Sequence, residues 1–386
     1  MNTTEHLHNL GQSIWLDNIT RDLLQTGTLK KYIASYAVTG LTSNPTIYEQ
    51  AIRDGAYYVE AIRKLSAPEK SNADIFFELA IADLTDAAKL FAAVHQQTNG
   101  VDGWVSLEVS PLLADKASET VREAAKLHHT ANCKNMFIKI PGTPSGLVAI
   151  EESIFQGVPV NVTLLFSHGQ FLKAASAYMR AIERRIEAGL DPKVASVASL
   201  FVSRWDVAVK DKVNAELHNK LGVAIAQRTY RAYRELLESP RWQRLGKLGA
   251  QPQRLLWAST GVKDPAIADT FYVQELASTN TINTMPEKTL LAFADHGLIG
   301  HSMAQDGDNA DEEIGLFHKA GIDTEVLAEQ LQGEGAAAFV KSWNALMESI
   351  NTRRAIVGAD RGQPPAMQTA NSFSSNSGLN MNEAAR

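Results

Sequence analysis

The chain holds a single cysteine, Cys133, among 386 residues. An internal disulfide is excluded, which fits a reducing, cytoplasmic compartment. Cys133 stands just ahead of an apolar strand-like run, where a half-buried inert thiol is expected. There is no Cys-x-x-Cys or His-Glu-x-x-His pattern, which argues against a zinc site, and no metal is expected. His128 and His129 are adjacent, and neighbouring positions do not share a helix face. No uninterrupted apolar stretch reaches the roughly 20 residues of a membrane span. The opening Met1-Asn2-Thr3-Thr4-Glu5-His6 lacks the basic and apolar regions of a secretory leader. Basic residues number 37 against 43 acidic ones, a formal net charge of −6, which offers no footprint for nucleic acid. What is present is ordinary: 45% apolar and 21% charged residues, enough for a large soluble core. Size alone suggests two or three domains, although α/β barrels routinely exceed that average as one domain.

Against this plain background one residue stands out. Lys139 interrupts the apolar run Met136-Phe137-Ile138-Lys139-Ile140, followed by Pro141-Gly142-Thr143. A buried ammonium is costly unless paired or neutralised, and burial favours the neutral amine. A neutral amine is a nucleophile that forms Schiff bases with carbonyls. The alternative is a lysine with a buried stem and a head that reaches water.

Short apolar runs alternate with helical patterns along the chain. The runs are Ile14 to Leu16, Tyr36 to Leu41, Trp104 to Leu107, Phe137 to Ile138, Val158 to Phe166, Val194 to Val202, Leu255 to Ala258 and Ile282 to Met285. Between them, Asp74 to Val94, Ser118 to His128 and Gly169 to Ala188 carry apolar residues near the 3.6 period. Trp205 to Leu237 holds helical material, and Pro286 marks a helix start. Strand and helix alternation points to a parallel sheet covered by helices. Eight strands point to an α/β fold, a (β/α)8 TIM barrel. An open doubly wound sheet would favour a glycine-rich fingerprint after the first strand, and Asp17-Asn18-Ile19-Thr20 is not one.

One barrel domain is expected over residues 1–361, with a C-terminal helical extension from about residue 300. An EF-hand loop starting at Asp306 needs glycine at its sixth position, where Asp311 stands, so the acidic run Asp306 to Glu313 reads as a solvated loop capping the next helix. Thr324 to Arg354 reads as a helix whose Phe339, Trp343, Leu346 and Ile350 form a core-packing face. Residues 362–386, rich in Pro, Ser, Asn and Gln, are expected to be a disordered tail.

Polar residues gather at the ends of the proposed strands: Asp17, Asn44, Glu108, Lys139, Asn161, Thr163, Ser199, Arg204 and Ser259. In a closed barrel these ends meet at one mouth, where barrel enzymes keep their chemistry. A Schiff-base lysine needs a proton shuttle, and Glu108 and Asp17 are the candidates. The amides and hydroxyls of Asn44, Asn161, Thr163 and Ser199 suit a polyhydroxylated sugar, and the planar fork of Arg204 suits a phosphate. Asp17 and Asn44 also suit helix N-caps, Glu108 also suits a structural ion pair with Lys139, and Arg204 an exposed helix start.

With these residues assembled, the chain resembles the transaldolases, from about Leu10 to Gly297. The resemblance rests on Ile14-Trp15-Leu16-Asp17, Gly40-Leu41-Thr42-Ser43-Asn44-Pro45-Thr46, Val105-Ser106-Leu107-Glu108-Val109, Ile138-Lys139-Ile140-Pro141, Asn161-Val162-Thr163-Leu164-Leu165-Phe166-Ser167 and Ser199-Leu200-Phe201-Val202-Ser203-Arg204, in the family's order. It implies a cofactor-free transferase of the non-oxidative pentose phosphate pathway. Such an enzyme moves a dihydroxyacetone unit from sedoheptulose 7-phosphate to glyceraldehyde 3-phosphate, giving erythrose 4-phosphate and fructose 6-phosphate.

By that resemblance Lys139 forms the Schiff base and Asp17 takes the C4 hydroxyl proton. Glu108 works through a water shared with Thr163. Asn44 and Asn161 hold the dihydroxyacetone hydroxyls, Ser199 binds sugar, Phe201 shapes the wall and Arg204 holds phosphate. Shorter members place a serine and a nearby arginine at a second phosphate position. Here Ser259 matches, and Lys263 is the nearest cation, displaced along the chain. The expected partners are phosphorylated sugars, with no nucleic acid or membrane, for a monomer or homodimer. The rivals are a Schiff-base aldolase that releases the three-carbon unit and a non-catalytic barrel scaffold.

Overall fold

The structure, a computed structural model, describes residues 2–361; the tail expected over residues 362–386 lies outside the described residues. Eight strands form the sheet: β1 Gln12–Asp17, β2 Val38–Thr42, β3 Val105–Glu108, β4 Met136–Pro141, β5 Val160–Leu165, β6 Ser196–Phe201, β7 Arg254–Ala258 and β8 Thr281–Met285. Neighbouring strands are parallel and run in the order β2-β1-β8-β7-β6-β5-β4-β3. The seam between β2 and β3 is joined by Leu41 N–H to Trp104 O (3.0 Å) and Gly103 N–H to Thr39 O (2.9 Å). The expected (β/α)8 barrel is therefore the observed fold.

Two buried polar contacts draw the seam together. Asp102 accepts from Trp15 Nε1 at 2.7 Å and from Thr39 Oγ1 at 2.8 Å. At Gly40 a Cβ would lie 2.7 Å from both Trp104 O and Trp15 Nε1, so only glycine allows this approach. Below the mouth the barrel is filled by aromatic rings. Phe137 stacks on Trp104 at 4.1 Å and lies 6.2 Å from Trp15. Alternation along a strand then carries Lys139 and Asp17, two residues beyond Phe137 and Trp15, to the layer above.

Several strands feed almost directly into capped helices, which keeps the mouth short and rigid. Asn44 caps the helix Pro45–Asp54, Thr143 caps Pro144–Phe155 and Ser167 caps His168–Glu187, each accepting a backbone N–H of the first turn. The first two have proline at the start, where its missing N–H costs nothing. The positive ends of these helix dipoles lie at the strand ends, a setting that favours anions.

Some boundaries differ from the sequence reading. β2 starts at Val38 because Ala37 takes a left-handed φ of 52° after the helix Thr28–Ser35. β5 starts at Val160 because Pro159 has no N–H for the ladder. The helical stretch from Trp205 to Leu237 is two helices, Ser203–Val209 and Leu221–Glu238, separated by a short 3-10 turn. The acidic run is not simply a capping loop either. Its second half begins the helix Ala310–Lys319, whose N-cap Asn309 makes no side-chain cap bond, and Asp311 pairs with Arg228 at 2.7 Å and Arg231 at 2.8 Å. None of the helices is long and apolar enough to cross a membrane, among the described residues.

The last helix, Thr324–Arg361, packs on Pro45–Asp54, Val59–Leu65 and Asn72–Gln97 and reaches β5 across the mouth. Its far half is anchored by polar contacts. Thr46 Oγ1 donates to Ser342 Oγ at 2.8 Å, and Arg354 Nη1 donates to Lys70 O at 3.0 Å and Asn72 Oδ1 at 2.7 Å. Trp343 is held edge-on by Phe76 at 5.3 Å.

Candidate active site

Lys139 lies inside the barrel on β4 and is 5% exposed. Its Nζ donates to Ser43 O at 2.9 Å and sits 3.3 Å from Glu108 Oε2. The pairing follows from register: Glu108 on β3 and Asn161 on β5 both stand opposite Lys139 on β4. A buried charge without such partners would be very costly, and even a good pair recovers little beyond its desolvation penalty. The ion-pair alternative for Glu108 is thus present geometrically, at the same place as the expected proton shuttle.

The two carboxylates of the site share one perturbation. Burial pushes both Glu108 and Asp17 above the ordinary carboxylate range, and the charge of Lys139 opposes the shift in each. Asp17 accepts from Thr42 Oγ1 at 2.9 Å, and the Asn44 side chain also helps to hold it ionised. Asp17 caps no helix; Thr20 caps the helix that follows. Asn44 does cap its helix, accepting from Ile47 N–H at 3.1 Å, and also lines the cavity.

One cavity of about 380 Å³ opens at the mouth. Of the residues singled out from sequence, Asp17, Asn44, Lys139, Thr163, Ser199, Phe201, Arg204, Ser259 and Lys263 line it. Glu108 and Asn161 do not. Glu108 stands behind the lysine, while Asn161 is fully buried, donating to Ser106 Oγ at 3.2 Å and accepting from Ser199 Oγ at 2.7 Å. Asn161 therefore orients Ser199, which does face the cavity. Thr163 Oγ1 is buried and makes no hydrogen bond within the protein among the described residues, whereas Glu108 Oε2 meets the Lys139 ammonium. A buried hydroxyl is rarely left unsatisfied, which suits a water or substrate oxygen at Thr163.

Two cations face the same cavity. Arg204 lies in the first turn of Ser203–Val209, with its guanidinium 5.3 Å from the centre of the Phe201 ring. The expectation of an exposed helix start does not hold, because the neighbours of Arg204 fix it inward. Trp205 Nε1 donates to Phe166 O at 3.0 Å, and Ser203 N–H donates to Ser259 O at 3.1 Å. Burial lowers the pKa of Arg204, and burial together with the charge of Arg204 lowers that of Lys263. An anion between them relieves the repulsion. Ser259, at a left-handed φ of 56°, shares a 3.0 Å hydroxyl contact with Ser203 beside this pair.

Residues 14–350 match the family described as Transaldolase/Fructose-6-phosphate aldolase.

The chain belongs to that family.

A transaldolase of Frankia alni is 41% identical over 368 residues, covering 93% of this chain and 99% of its own. One of Thiobacillus denitrificans is 41% identical over 358 residues, covering 91% and 100%. One of Neisseria meningitidis is 39% identical over 342 residues, covering 88% and 97%. The resemblance drawn from the strand-end motifs is thus borne out at the level of family.

The structure also brings in residues that the sequence reading passed over. Thr42 and Thr284 line the cavity and share a 2.8 Å hydroxyl contact. Ser43 supplies the carbonyl that fixes Lys139. Phe339, expected to be core packing, lines the cavity with its ring centre 6.0 Å from Lys139 Nζ. Cys133 is half-buried next to Asn135 with its thiol pKa raised by burial, as an inert thiol would be.

Proposed function

We propose that this enzyme transfers a dihydroxyacetone unit from sedoheptulose 7-phosphate to glyceraldehyde 3-phosphate, through a Schiff base on Lys139. The products are erythrose 4-phosphate and fructose 6-phosphate, which places it in the non-oxidative pentose phosphate pathway. The observation that carries the reading is one buried amine, Lys139, beside two carboxylates of raised pKa, in a cavity with Arg204 and Lys263 along its wall. Family membership supports it.

The roles follow from position. Lys139 attacks the ketose C2 carbonyl. Glu108, 3.3 Å from the amine, gives and takes the protons of carbinolamine formation and dehydration, through a water held with Thr163. A carboxyl pushed up by burial and pulled back by a cation is suited to move a proton either way. Asp17, on the other side of the mouth, takes the C4 hydroxyl proton as the C3–C4 bond breaks. Asn44 and Ser199 hold the sugar hydroxyls, with Asn161 fixing Ser199. Arg204, Lys263 and Ser259 receive the phosphate, and Phe201 forms the wall beneath Arg204.

The packing of the last helix on the barrel supports taking residues 1–361 as one domain. We take the enzyme to act in the cytoplasm, as a monomer or homodimer, on phosphorylated sugars, without a cofactor, nucleic acid or membrane.

A coupled assay with fructose 6-phosphate, with and without erythrose 4-phosphate, tests the proposal. Glyceraldehyde 3-phosphate formed only in the presence of the acceptor supports transfer. Its formation without acceptor, alongside free dihydroxyacetone, marks an aldolase instead, and no formation at all removes Lys139 from its role.

A further inference from the structure

The region after residue 300 carries none of the strand-end chemistry, yet its last helix supplies a wall of the active cavity. The way it is seated is specific. β5 and β6 slip register between Val162 and Leu165, and Leu164 takes a left-handed φ of 59°. A leucine in that region is strained, and such strain persists only where the surroundings enforce it. The bulge has two uses here. Leu164 O accepts from Gln332 Nε2 at 2.8 Å, and the same Nε2 reaches Gly142 O at 3.2 Å beyond β4. The helix is thus pinned across the ends of the strands that carry Lys139 and Thr163.

Gly335 meets the same bulge one turn later. A Cβ there would lie 2.9 Å from Leu164 Cδ2 and 3.3 Å from Arg204 Nη1. Glycine in a helix interior costs about 1 kcal/mol relative to alanine, so its presence at this contact reflects the closeness of approach. One further turn along, Phe339 projects into the cavity, 8% exposed, with its ring centre 6.0 Å from Lys139 Nζ. Thr46 and Ser342 then fix the following turn.

Resting on the Schiff-base reading of Lys139, we propose that Phe339 is a specificity-determining residue that roofs the covalent intermediate and keeps bulk water from it, leaving only the water held by Glu108 and Thr163. After C3–C4 cleavage the three-carbon unit remains on Lys139 as an enamine. Two fates compete. In transfer, the enamine carbon bonds to the aldehyde carbon of the acceptor, whose oxygen takes a proton, and the Schiff base so formed is then hydrolysed by one water at C2 as the C2–Nζ bond breaks. In release, the enamine carbon takes a proton, water adds its oxygen to C2, and the C2–Nζ bond breaks. Each route consumes one water and frees the amine; the second frees dihydroxyacetone in place of the lengthened sugar. Both start from the same enamine, so selection rests on whether the acceptor aldehyde or a proton from solvent water reaches its carbon first. An apolar ring over the lysine offers water no hydrogen bond, and its face also tolerates the cationic nitrogen. The bulge at Leu164 and the gap at Gly335 hold that ring in place.

The test is a partition measurement. Purified enzyme is given fructose 6-phosphate with and without erythrose 4-phosphate, and free dihydroxyacetone is counted against transferred product. Borohydride trapping on Lys139 runs in parallel. Phe339→Ala is expected to keep the trapped adduct and raise the ratio of release to transfer at least about tenfold, about 1.4 kcal/mol in relative barrier. Phe339→Leu, which keeps most of the apolar bulk, is expected to show a smaller rise. The ratio does not depend on the fraction of enzyme folded, so a destabilised alanine variant still reports. An unchanged ratio in both variants, with the adduct present, overturns the roof alone. Failure to trap an adduct on Lys139 in the unsubstituted enzyme overturns the Schiff-base reading and the roof with it.

Discussion

Glu108 and Lys139 stand opposite each other on adjacent parallel strands, with Oε2 and Nζ 3.3 Å apart and both side chains 7% exposed. This pair joins stability and chemistry in one contact. Removing the carboxylate leaves the ammonium with the Ser43 carbonyl as its hydrogen-bond acceptor and no paired carboxylate in contact, and breaking a buried pair costs about 3–5 kcal/mol. Glu108→Leu is therefore expected to lower Tm sharply. Glu108→Gln keeps an oxygen near Nζ and is expected to melt close to the parent. Because it cannot shuttle protons, its rate of borohydride-trappable adduct formation is expected to fall by about 10²–10⁴. Stopped trapping over time reads this directly; a parental rate for Glu108→Gln would remove the carboxylate from the proton path.

Lys139→Met replaces the amine with an apolar chain of similar length. Turnover and the trapped adduct are both expected to vanish, while circular dichroism stays native because Glu108, already pushed up by burial, can take a proton. Mass spectrometry after borohydride reduction identifies the adduct site. Residual turnover in a native-like Lys139→Met enzyme would mean another nucleophile.

Arg204→Ala is expected to raise KM for phosphorylated donors by about tenfold to a hundredfold, the loss of a charge-assisted bidentate contact. The dephosphorylated sugar should be handled as before. Steady-state kinetics with fructose and fructose 6-phosphate separate the two, and equal losses on both would take the phosphate away from Arg204.

Gly335→Ala sets two effects against each other. The helix gains roughly 1 kcal/mol of propensity, and the new methyl presses on Leu164 and the Arg204 guanidinium. A small change in Tm with a raised KM for phosphorylated donors is expected. A stabilised enzyme with unchanged KM would show that the helix can lift without moving Arg204.

Asp206 provides a pH test away from the cavity. Buried on the helix Ser203–Val209, it accepts from Tyr272 Oη at 2.7 Å and Gly222 N–H at 3.2 Å, and burial pushes its pKa up to about 6 from 3.8. Between those two values the folded state holds a proton that the unfolded chain has lost. Folding stability from this group therefore declines as pH rises through the window, by about 1.4 kcal/mol per pH unit, and levels off above it. Asp206→Asn has no such proton. The difference in unfolding free energy between variant and parent is expected to move in favour of the variant from pH 4 to 6 and then stay flat. Chemical denaturation across pH 4 to 7 measures it.

The barrel and most of its mouth were legible because each signal was local. A polar residue closing an apolar run marks a strand end, and closure of a parallel sheet brings all such ends together. Lys139, Asp17 and Arg204 were readable for that reason. Ser43 was not, because a main-chain carbonyl acceptor leaves no trace in a side-chain pattern. Thr42 and Thr284 were passed over because small hydroxyl residues end many strands. Phe339 does pack in the core as expected, and its second place, at the cavity, escaped notice for a different reason. Periodicity places it on one face with Trp343, Leu346 and Ile350, but does not say that the first of the four overhangs an opening while the others meet packed helices. The left-handed turn at Leu164, which decides where that helix rests, has no glycine or asparagine to announce it.

The roof over Lys139 is made of residues that leave the ribosome last among those described, well after all eight strands. If Lys139 is the nucleophile proposed above, a barrel that precedes the segment Thr324–Arg361 carries that amine without its cover. The same order means that a chain stalled or clipped ahead of Phe339 keeps the lysine and both carboxylates and lacks the cover. On the proposal above, selectivity arrives with the final helix, after the nucleophile.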